Sequence, residues 1–592
     1  MLDYGAPLRD MEFVIGELIG FDEIRNLRGC EDLGPELCSA VLEEASKLAR
    51  EKLAPLNRTG DLEGSHLRDG VVRTPNGWKE AYESFKEGGW SGLSVSEEYG
   101  GQGLPKVIGS AVNEMWDSSN LSFSLCPLLT AGAIEAIECH GSDEIKSLFL
   151  HKLVSGEWAG TMNLTESQAG SDLSTVRTKA EPEGEHYRIK GTKIYITYGE
   201  HDLTENIIHL VLARLPDAPE GTRGISLFVV PKFLVNADGS LGDRNEVKCI
   251  SVEEKLGIHA SPTAVMSYGD EKGAIGYLVG KENKGLMHMF TIMNNARHAV
   301  GREGLAVSEA AYQLALNYAR ERTQGSLQGS SVATTIVEHP DVKRMLMTMK
   351  STVEAMRALT YTCAYAFDIA ERSLKDVERD RAIRRGDLLT PVVKGWCTDN
   401  AQVIASLGVQ IHGGMGFVEE TGAAQYIRDA RILPIYEGTN GIQALDLMGR
   451  KTLRDGGQAV SELIKDMEET LSSLKDVRLN VISAALGASV RDLKAALEWI
   501  QDFSENTDLC NSAATHYLEL MGITCGGWVL AESARIAVVG LTGNSSDHEF
   551  YKRKLYAIDF FARQVMPETG SLKEKMINGS KLISDLETEA FA

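Results

Sequence analysis

The sequence has little basic charge for its size. Its 61 lysine and arginine residues are outnumbered by 84 aspartate and glutamate residues, which gives a net charge of -23 over 592 residues. Nucleic-acid binding needs a broad positive surface that replaces phosphate counterions, and this excess of acid opposes one. We therefore expect no nucleic-acid partner, although a small anionic cofactor can still bind at local arginines or helix N-termini.

Cysteine is also scarce, and its spacing is not that of a metal site. The nine cysteines are scattered along the chain, are odd in number and form no CxxC pair. Structural zinc sites and small disulfide frameworks both require closely spaced or paired cysteines. We expect reduced cysteines in the core and no metal site.

Targeting and membrane-spanning patterns are missing as well. The first residues show no basic segment followed by an apolar run, which a secretory signal would have. No uninterrupted apolar stretch approaches the roughly 18 residues of a spanning helix. We expect a cytoplasmic protein without integral membrane association.

What the sequence does contain is a succession of helical and β-type patterns without fixed-period repeats. A chain of 592 residues exceeds what one hydrophobic core supports, so several domains are expected. The predicted divisions are an N-terminal extension (1–35), an N-terminal helical domain (36–156), a β-domain (157–280), a C-terminal helical bundle (281–453) and an additional C-terminal helical domain (454–592).

Hydrophobic periodicity supports these divisions. Helices are predicted at 36–53, 78–88, 106–118, 127–138 and 143–154. Strands are predicted at 187–197, 206–214, 224–231 and 246–252, where β-branched runs are bounded by turn residues. A methionine-rich stripe, Val342, Met345, Met349, Val353 and Met356, recurs at helical spacing. We interpret that stripe as core packing rather than a cofactor site.

A polar segment at 163–180, NLTESQAGSDLSTVRTKA, separates the first helical region from the β-type region. It is rich in hydroxyl groups and poor in bulky apolar side chains, and such segments are most often plain surface turns. Hydroxyls such as those of Thr165 and Ser171, together with exposed backbone N–H groups, also bind phosphate and ring carbonyl oxygens. The residue types alone leave both interpretations open.

Two later segments place glycine and acid at turns. QIHGGMGF (410–417) follows a predicted helix, and its paired glycines mark either a helix end or a close backbone approach to a ligand. RDARILPIYEGTNGIQ (428–443) sets Glu437 between an apolar run and a turn that opens another helix. Glu437 is either an acid favourably placed near a helix N-terminus or a desolvated carboxylate with the raised pKa of a general base.

The order and spacing of these segments resemble the acyl-CoA dehydrogenase family over residues 36–450. The family's flavin-binding pattern T-E-P-x-A-G-S-D is matched by residues 165–172, with Ser167 in the place of proline. Its G-x-K-x-W-I-T strand is matched by residues 191–197, where Tyr195 replaces tryptophan and keeps an aromatic ring. Further matches are EYGG (98–101), KLGIHASPT (255–263), ERTQG (321–325), QIHGG (410–414) and IYEGT (435–439).

This resemblance implies an α+β, mainly α, fold: an N-terminal helical domain, a central β-domain and a C-terminal four-helix bundle, here with an extra C-terminal helical domain. It also implies FAD as cofactor. The implied FAD contacts within one subunit are Met162, Leu164, Thr165, Ser171, Tyr195, Ile196, Thr197, Thr439 and Gly441. Contacts that would reach the cofactor of a partner subunit are Arg322, Gln410, Gly413 and Gly414. The family often has phenylalanine before the glycine that follows this arginine, whereas this chain has Gln324 before Gly325. Because the implied contacts come from two subunits, we expect a homo-oligomer, and we favour a homodimer.

The implied reaction is the α,β-dehydrogenation of an acyl-CoA to the trans-2-enoyl-CoA, with Glu437 removing the α-proton and the flavin N5 accepting the β-hydride. The family's other base position, just before Arg297, holds Ala296, and residues 291–302 contain no carboxylate. The implied CoA contacts are Ser171, Asn294, Arg297 and Gly438. Asn294 stands where an aspartate is frequent.

The opening MLDYGAPLRDMEFVIGEL and a long C-terminal extension resemble a bacterial subclass of the family. Its members act on 3-methylmercaptopropionyl-CoA or on medium-to-long-chain fatty acyl-CoA. We expect 3-methylmercaptopropionyl-CoA or a short or medium-to-long-chain fatty acyl-CoA as the substrate, and the sequence does not separate these. The resemblance implies an electron-transfer flavoprotein as electron acceptor. Two alternatives are an acyl-CoA oxidase that uses oxygen and a non-catalytic flavoprotein scaffold; Glu437 and the net charge of -23 oppose the scaffold.

Overall fold

The computed structural model describes residues 4–327, 329, 331–542 and 547–592, and for residues 290–292 the backbone alone. The chain forms two compact units, each assembled from separate parts of the sequence. Unit 1 comprises Met1–Ala6, Glu44–Leu104 and Met115–Ala296. Unit 2 comprises Pro7–Glu43, Pro105–Glu114 and Arg297–Ala592.

Helices dominate the described part of the chain, and strands are concentrated in its second quarter. The α-helices α1 to α19 are Leu8–Glu12, Phe21–Arg25, Pro35–Leu48, Ala54–Glu63, Trp78–Glu87, Lys106–Ser119, Leu121–His140, Asp143–Val154, Gly285–Glu321, Pro340–Arg372, Asp376–His412, Ala423–Ala430, Asn440–Met448, Gln458–Ser473, Asn480–Asp502, Thr507–Thr542, His548–Gln564, Glu568–Glu574 and Ser580–Ser584. The strands β1 to β14 are His66–Arg68, Val71–Arg73, Trp158–Asn163, Lys179–Glu183, His186–Thr197, Asn206–Arg214, Ile225–Pro231, Phe233–Val235, Leu241–Arg244, Val247–Val252, Thr263–Tyr268, Ala274–Val279, Thr323–Ser326 and Ala333–Thr335.

An eight-stranded sheet forms the centre of unit 1. Its order is β10-β11-β5-β12-β7-β6-β3, with β4 pairing β5 and β6. β6 runs parallel to β3 and β4, and the other pairs are antiparallel. Side chains of a strand alternate between its two faces, so β6 sends Ile208 and Leu210 into one apolar cluster and Val211 and Ala213 into another. The sheet is therefore buried on both faces along this strand.

The strand predictions are confirmed closely. The strand predicted at 206–214 is observed at those residues, and the other three begin within one residue of the predicted start. The helix predicted at 127–138 begins earlier, at Leu121, because the Asn120 side chain accepts a hydrogen bond from the Phe123 N–H and caps it. Pro127 lies inside this helix rather than at its start.

Long helices form unit 2. The methionine stripe is buried as expected, since Met345, Met349 and Met356 are at most 5% exposed. α9 and α11 approach closely at two glycines of α9: a Cβ atom at Gly301 would lie 2.8 Å from the Val393 backbone, and one at Gly304 would lie 2.8 Å from the Cys397 backbone. Only glycine permits helix backbones to come this near. The expected α+β, mainly α, fold class is confirmed.

The N-terminal segment of unit 2 packs on its C-terminal helices. Phe13 and Phe550 are 5.5 Å apart between ring centroids, and Asp10 forms ion pairs with both Arg357 and Lys554. Arg357 also binds Glu114 at 2.7 Å. The first residues and the last helices of the chain therefore share one core.

Two helices, α7 and α16, are long and apolar enough to cross a membrane by length and composition. Their most apolar stretches are 67% and 72% buried within the structure, as in core helices of soluble proteins. All nine cysteines lie in the described part of the chain, and none of them is in a disulfide. Eight are buried as expected, whereas Cys139 is exposed because it lies in the last turn of α7.

Candidate functional site

Glu437 lies in a turn whose backbone adopts an unusual conformation. Its φ is +53°, and Gly438 follows with a φ of +86°. A left-handed conformation costs a residue with a side chain about 1–2 kcal/mol, so it persists only where surrounding structure enforces it. Immediately after the turn, Thr439 caps α13, with its hydroxyl oxygen accepting the Ile442 N–H at 3.2 Å. The turn thus presents Glu437 next to a helix N-terminus.

The surroundings of Glu437 raise its pKa. The main cause is burial of the carboxylate, which disfavours its charged form, and the nearby charges of Arg297 and Lys394 act in the opposite direction. A carboxylate with a raised pKa is a stronger proton acceptor than an exposed one, and the two cationic neighbours favour its ionised form. These are the electrostatic properties of a general base.

Arg297 is brought to the same turn. It is buried in α9, and its Nη1 donates to Asp446 of α13 at 2.9 Å. A Cβ atom at Gly438 would lie 3.7 Å from its Nη2. The Arg297 Nε atom is buried and has no hydrogen-bond partner among the residues that the structure describes. Of the predicted contacts, Glu437, Gly438, Thr439 and Arg297 therefore form one cluster in unit 2, with Gly441 in the first turn of α13.

The sequence interpretation missed two members of this cluster, Lys394 and Asn440. Lys394 is fully buried in α11, and its ammonium group donates to the Asn440 side-chain oxygen at 2.8 Å. Burial lowers the pKa of Lys394 to about 8. A signal was available, because Lys394 is the one charged residue in the apolar stretch PVVKGWC (391–397).

The predicted cofactor loop of unit 1, which follows β3 and contains Thr165, is anchored by hydrogen bonds to Lys193 of β5. Glu166 accepts hydrogen bonds from the N–H groups of Arg177 and Thr178 and from the Lys193 ammonium, at 2.8, 3.0 and 2.8 Å. Lys193 also donates to the Leu164 carbonyl at 3.0 Å. These bonds tie the loop to β5 at the residues on either side of Thr165. Met162 lies just before the loop in β3, and the exposed Ser171 lies at its far end.

The end of β5 carries the other predicted flavin contacts. Tyr195 has a φ of +60° and is 61% exposed, whereas Ile196 is buried. The Thr197 carbonyl accepts a hydrogen bond from Thr161 at 2.7 Å. Among the described residues, the hydroxyl groups of Thr165 and Thr197 have no hydrogen-bond partner. An exposed ring beside free hydroxyl donors fits a flat group with ring carbonyl and nitrogen atoms, such as the isoalloxazine of FAD.

The remaining predicted residues of unit 2 are exposed. Arg322 follows the end of α9, Gln410 lies in the last turn of α11, and Gly413 has a φ of +61°. A Cβ atom at Gly413 or Gly414 would meet no atom within 4 Å. These positions leave backbone accessible to a ligand, and their proposed contact with a partner's cofactor stays a prediction. Asn294 lies in α9, three residues before Arg297.

A surface cleft of about 360 Å³ in unit 1 contains none of the predicted site residues. Arg73 and Lys79, which line it, both pair with Asp202, at 3.5 and 2.9 Å. Because these charges already neutralise one another, the cleft gives no argument for a ligand.

The chain is similar to known proteins over almost its whole length. Family models match in chain order: acyl-CoA dehydrogenase N-terminal domain at 36–157, middle domain at 161–270, C-terminal domain at 283–452, and acetyl-CoA dehydrogenase C-terminal like at 463–587. A 3-methylmercaptopropionyl-CoA dehydrogenase of Ruegeria pomeroyi is 48% identical, covering 96% of this chain and 97% of that protein. A butyryl-CoA dehydrogenase of Syntrophomonas wolfei is 34% identical, covering 100% and 99%. The crystal structure of an acyl-CoA dehydrogenase from Bacillus anthracis complexed with FAD has a TM-score of 0.74 at 21% identity, covering 98% of this chain and 92% of that one.

Proposed function

The chain belongs to the acyl-CoA dehydrogenase family, whose members are oxidoreductases acting on a CH–CH group, and we propose that Glu437 is the base that removes the α-proton of its acyl-CoA substrate. The observation that carries the proposal is the turn at Glu437. A carboxylate held in a left-handed conformation, with a pKa raised by burial and with cationic neighbours, has little structural purpose other than chemistry.

The roles of the neighbouring residues follow from the chemistry of a thioester. Loss of the α-proton moves negative charge onto the carbonyl oxygen, and a donor to that oxygen typically contributes about 3 kcal/mol to catalysis. The backbone N–H of Glu437 is the proposed donor, because the same turn then supplies both the base and the stabilising group. Arg297 balances the negative charge of Glu437 and keeps the carboxylate able to accept a proton.

We propose FAD as the cofactor, held on unit 1 by Thr165, Tyr195 and Thr197. FAD, when bound, supplies the acceptor for the hydride that leaves the β-carbon. The free hydroxyls of Thr165 and Thr197 would donate to ring atoms, and the exposed ring of Tyr195 would stack against the cofactor. The anchored loop between Leu164 and Glu166 keeps these donors in place without the cofactor, which lowers the entropic cost of binding.

The test of this function is anaerobic reduction of the bound flavin by acyl-CoA, measured as the loss of flavin absorbance. Glu437→Gln should keep FAD and bind acyl-CoA but lose the reduction rate by several orders of magnitude, because glutamine cannot accept a proton. Glu469→Gln, an exposed glutamate of α14, is the matched control and should reduce like the wild type. Flavin reduction in Glu437→Gln near the wild-type rate would refute the assignment.

For the substrate we propose 3-methylmercaptopropionyl-CoA, because the relative with 48% identity over nearly the whole chain carries that name. Short fatty acyl-CoA is the second candidate, supported by the relative with 34% identity. The two are separated by kcat/KM for 3-methylmercaptopropionyl-CoA, butyryl-CoA and longer acyl-CoA with an artificial acceptor. Each methylene in an apolar pocket is worth about 1 kcal/mol, so a preference of roughly tenfold or less would indicate broad specificity.

An electron-transfer flavoprotein is the proposed electron acceptor, and a cytoplasmic homodimer the proposed form of the enzyme. Oxygen consumption with acyl-CoA and no added acceptor would instead indicate an oxidase.

In the dimer, Arg322, Gln410, Gly413 and Gly414 would contact the partner's cofactor. Arg322→Ala should then weaken FAD binding without slowing flavin reduction in the protein that retains FAD.

A further inference from the structure

Lys394 is a buried lysine beside the turn that carries Glu437. It lies in α11 between apolar neighbours and is 0% exposed. No carboxylate among the described residues forms an ion pair with it, and its ammonium group donates to the neutral side chain of Asn440 at 2.8 Å. Burying an ammonium group without a carboxylate partner costs free energy, so its presence calls for a specific purpose.

Asn440 connects this lysine to the base. It is the first residue of α13 and follows Glu437 by three positions. Its side-chain amide donates to the Gly395 carbonyl at 3.1 Å and to Asp399 at 2.7 Å, both in α11. Its backbone N–H donates to the Pro434 carbonyl at 3.0 Å, which closes the loop before Glu437. The strained turn is thus fastened to α11 through Asn440.

Lys394 also differs from Arg297, the other cationic group near Glu437, in its ion pairing. The charged groups that act on Glu437 are Arg297 on α9 and Lys394 on α11. Those that act on Lys394 are Asp399, Glu437, Glu303 and Arg297. Arg297 is already paired with Asp446 at 2.9 Å. Tyr436 donates a hydrogen bond to Glu303. Lys394, by contrast, forms no ion pair with a described carboxylate, and Asp399, the charge that acts on it most strongly, is linked to it through Asn440.

We propose that Lys394 is a positioning residue for the base: through Asn440 it holds the Glu437–Gly438 turn, and its charge keeps the Glu437 carboxylate ionised. The inference rests on the proposed role of Glu437. It is supported by the mutual effect of the two groups, since Lys394 lowers the pKa of Glu437 and Glu437 raises that of Lys394. A merely structural lysine would affect folding but not the pH at which the base works.

The test is the pH dependence of anaerobic flavin reduction. In Lys394→Met the lost charge should raise the pKa of Glu437, so the acidic limb of the rate profile should move to higher pH by about one unit. Because the bond to Asn440 is lost as well, the rate should be below wild type at every pH, and the deficit should be largest, by about a further tenfold, on the acidic limb. An unmoved limb in a variant that binds FAD would overturn the proposal.

Asn440→Ala separates positioning from charge. It removes the bond to Lys394 but leaves the ammonium group, so the rate should fall at every pH while the limb stays within a few tenths of a unit of wild type. A full wild-type rate in Asn440→Ala would exclude the positioning role. If Lys394→Met does not retain FAD, Lys394→Gln, which keeps a donor for Asn440, replaces it in the same measurement.

Lys554→Met is the matched control. Lys554 is also buried in unit 2, at 2% exposure, but it pairs with the carboxylates of Asp10 in α1 and Glu354 in α10. Lys554→Met should lower the thermal unfolding temperature without moving the acidic limb of the pH–rate profile. An acidic limb that moves equally in Lys394→Met and Lys554→Met would overturn the proposal. If Glu437→Gln reduces its flavin at the wild-type rate, the proposed function itself fails; if only the shift in Lys394→Met is missing, this inference alone fails.

Discussion

The ammonium group of Lys193 lies 2.8 Å from a carboxylate oxygen of Glu166, and both side chains are buried in unit 1. The two residues belong to different segments, the loop after β3 and the strand β5. Lys193 uses a second hydrogen to bind the Leu164 carbonyl, at 3.0 Å. The backbone on either side of Thr165 is therefore fixed by one lysine, and the proposed flavin donors are presented from a prearranged loop.

This pair should make stability depend on pH in the acid range. The charge of Lys193 and several hydrogen bonds outweigh burial and lower the pKa of Glu166 to about 2, from 4.5 for an ordinary glutamate. Glu166 is therefore protonated at a lower pH in the folded state than in the unfolded state. The stabilisation is complete above pH 4.5 and is lost as the pH falls toward 2.

Glu166→Gln should accordingly unfold at a lower temperature than wild type at pH 6, and the gap should shrink as the pH falls below 4. Thermal unfolding followed by circular dichroism between pH 3 and pH 7 measures this. Glu185→Gln, an exposed position in the same unit, is the control and should follow wild type throughout. A gap in unfolding temperature that does not change with pH would contradict the electrostatic account.

Tyr195 provides a second prediction, in which stability and function respond in opposite directions. Its φ of +60° costs a tyrosine about 1–2 kcal/mol, which glycine does not incur. Its ring is 61% exposed, so little packing is lost on its removal. Tyr195→Gly should therefore keep or raise the unfolding temperature of the FAD-free protein while weakening FAD binding by about fivefold or more, since stacking on an aromatic ring is worth roughly 1 kcal/mol or more.

The comparison variant is Tyr195→Phe, which keeps both the ring and the strain and should bind FAD like wild type. The measurements are thermal unfolding of the FAD-free protein and titration with FAD followed by fluorescence. Unchanged FAD affinity in Tyr195→Gly would remove this ring from the proposed cofactor site.

Much of this arrangement could be predicted from the sequence, because it depends on local patterns. The strand at 206–214 follows from a run of β-branched and apolar residues, and it is observed with those bounds. The turn after Tyr436 follows from the sequence EGTNG, whose Thr439 is a good helix cap. In each case the residues that determine the structure are neighbours in the chain.

What the sequence could not supply depends on residues far apart. Lys394 stands out in the sequence as the one charge of an apolar stretch, but its partner Asn440 lies 46 positions away. Asp10 likewise gives no sign of its partners 347 and 544 positions away. The left-handed φ of Tyr195 and Glu437 runs against the preference of both residue types and is imposed by the surrounding structure. Cys139 was expected in the core because cysteines are usually buried, yet it lies in the exposed last turn of α7.

The close approach of α9 to α11 at Gly301 gives the last prediction. In an open helix, glycine to alanine stabilises a protein by up to about 1 kcal/mol, because alanine is the better helix former. At Gly301, however, a Cβ atom would lie 2.5 Å from Val393 Cγ1 and 2.8 Å from the Val393 backbone. Relief of this overlap requires the helices to separate, which costs about 1–3 kcal/mol. Gly301→Ala should therefore lower the unfolding temperature.

The matched variant is Gly487→Ala in α15, where the nearest heavy atom to a new Cβ is the flexible end of Arg491 at 3.5 Å. That variant should be neutral or stabilising. Because Val393 directly precedes Lys394, separation of the helices at Gly301 should also loosen the hydrogen bond from Lys394 to Asn440 and slow flavin reduction. Thermal unfolding and anaerobic reduction, measured on both variants, test the two consequences separately; a stable Gly301→Ala enzyme with a wild-type rate would show that the helices accommodate the methyl group without moving Lys394.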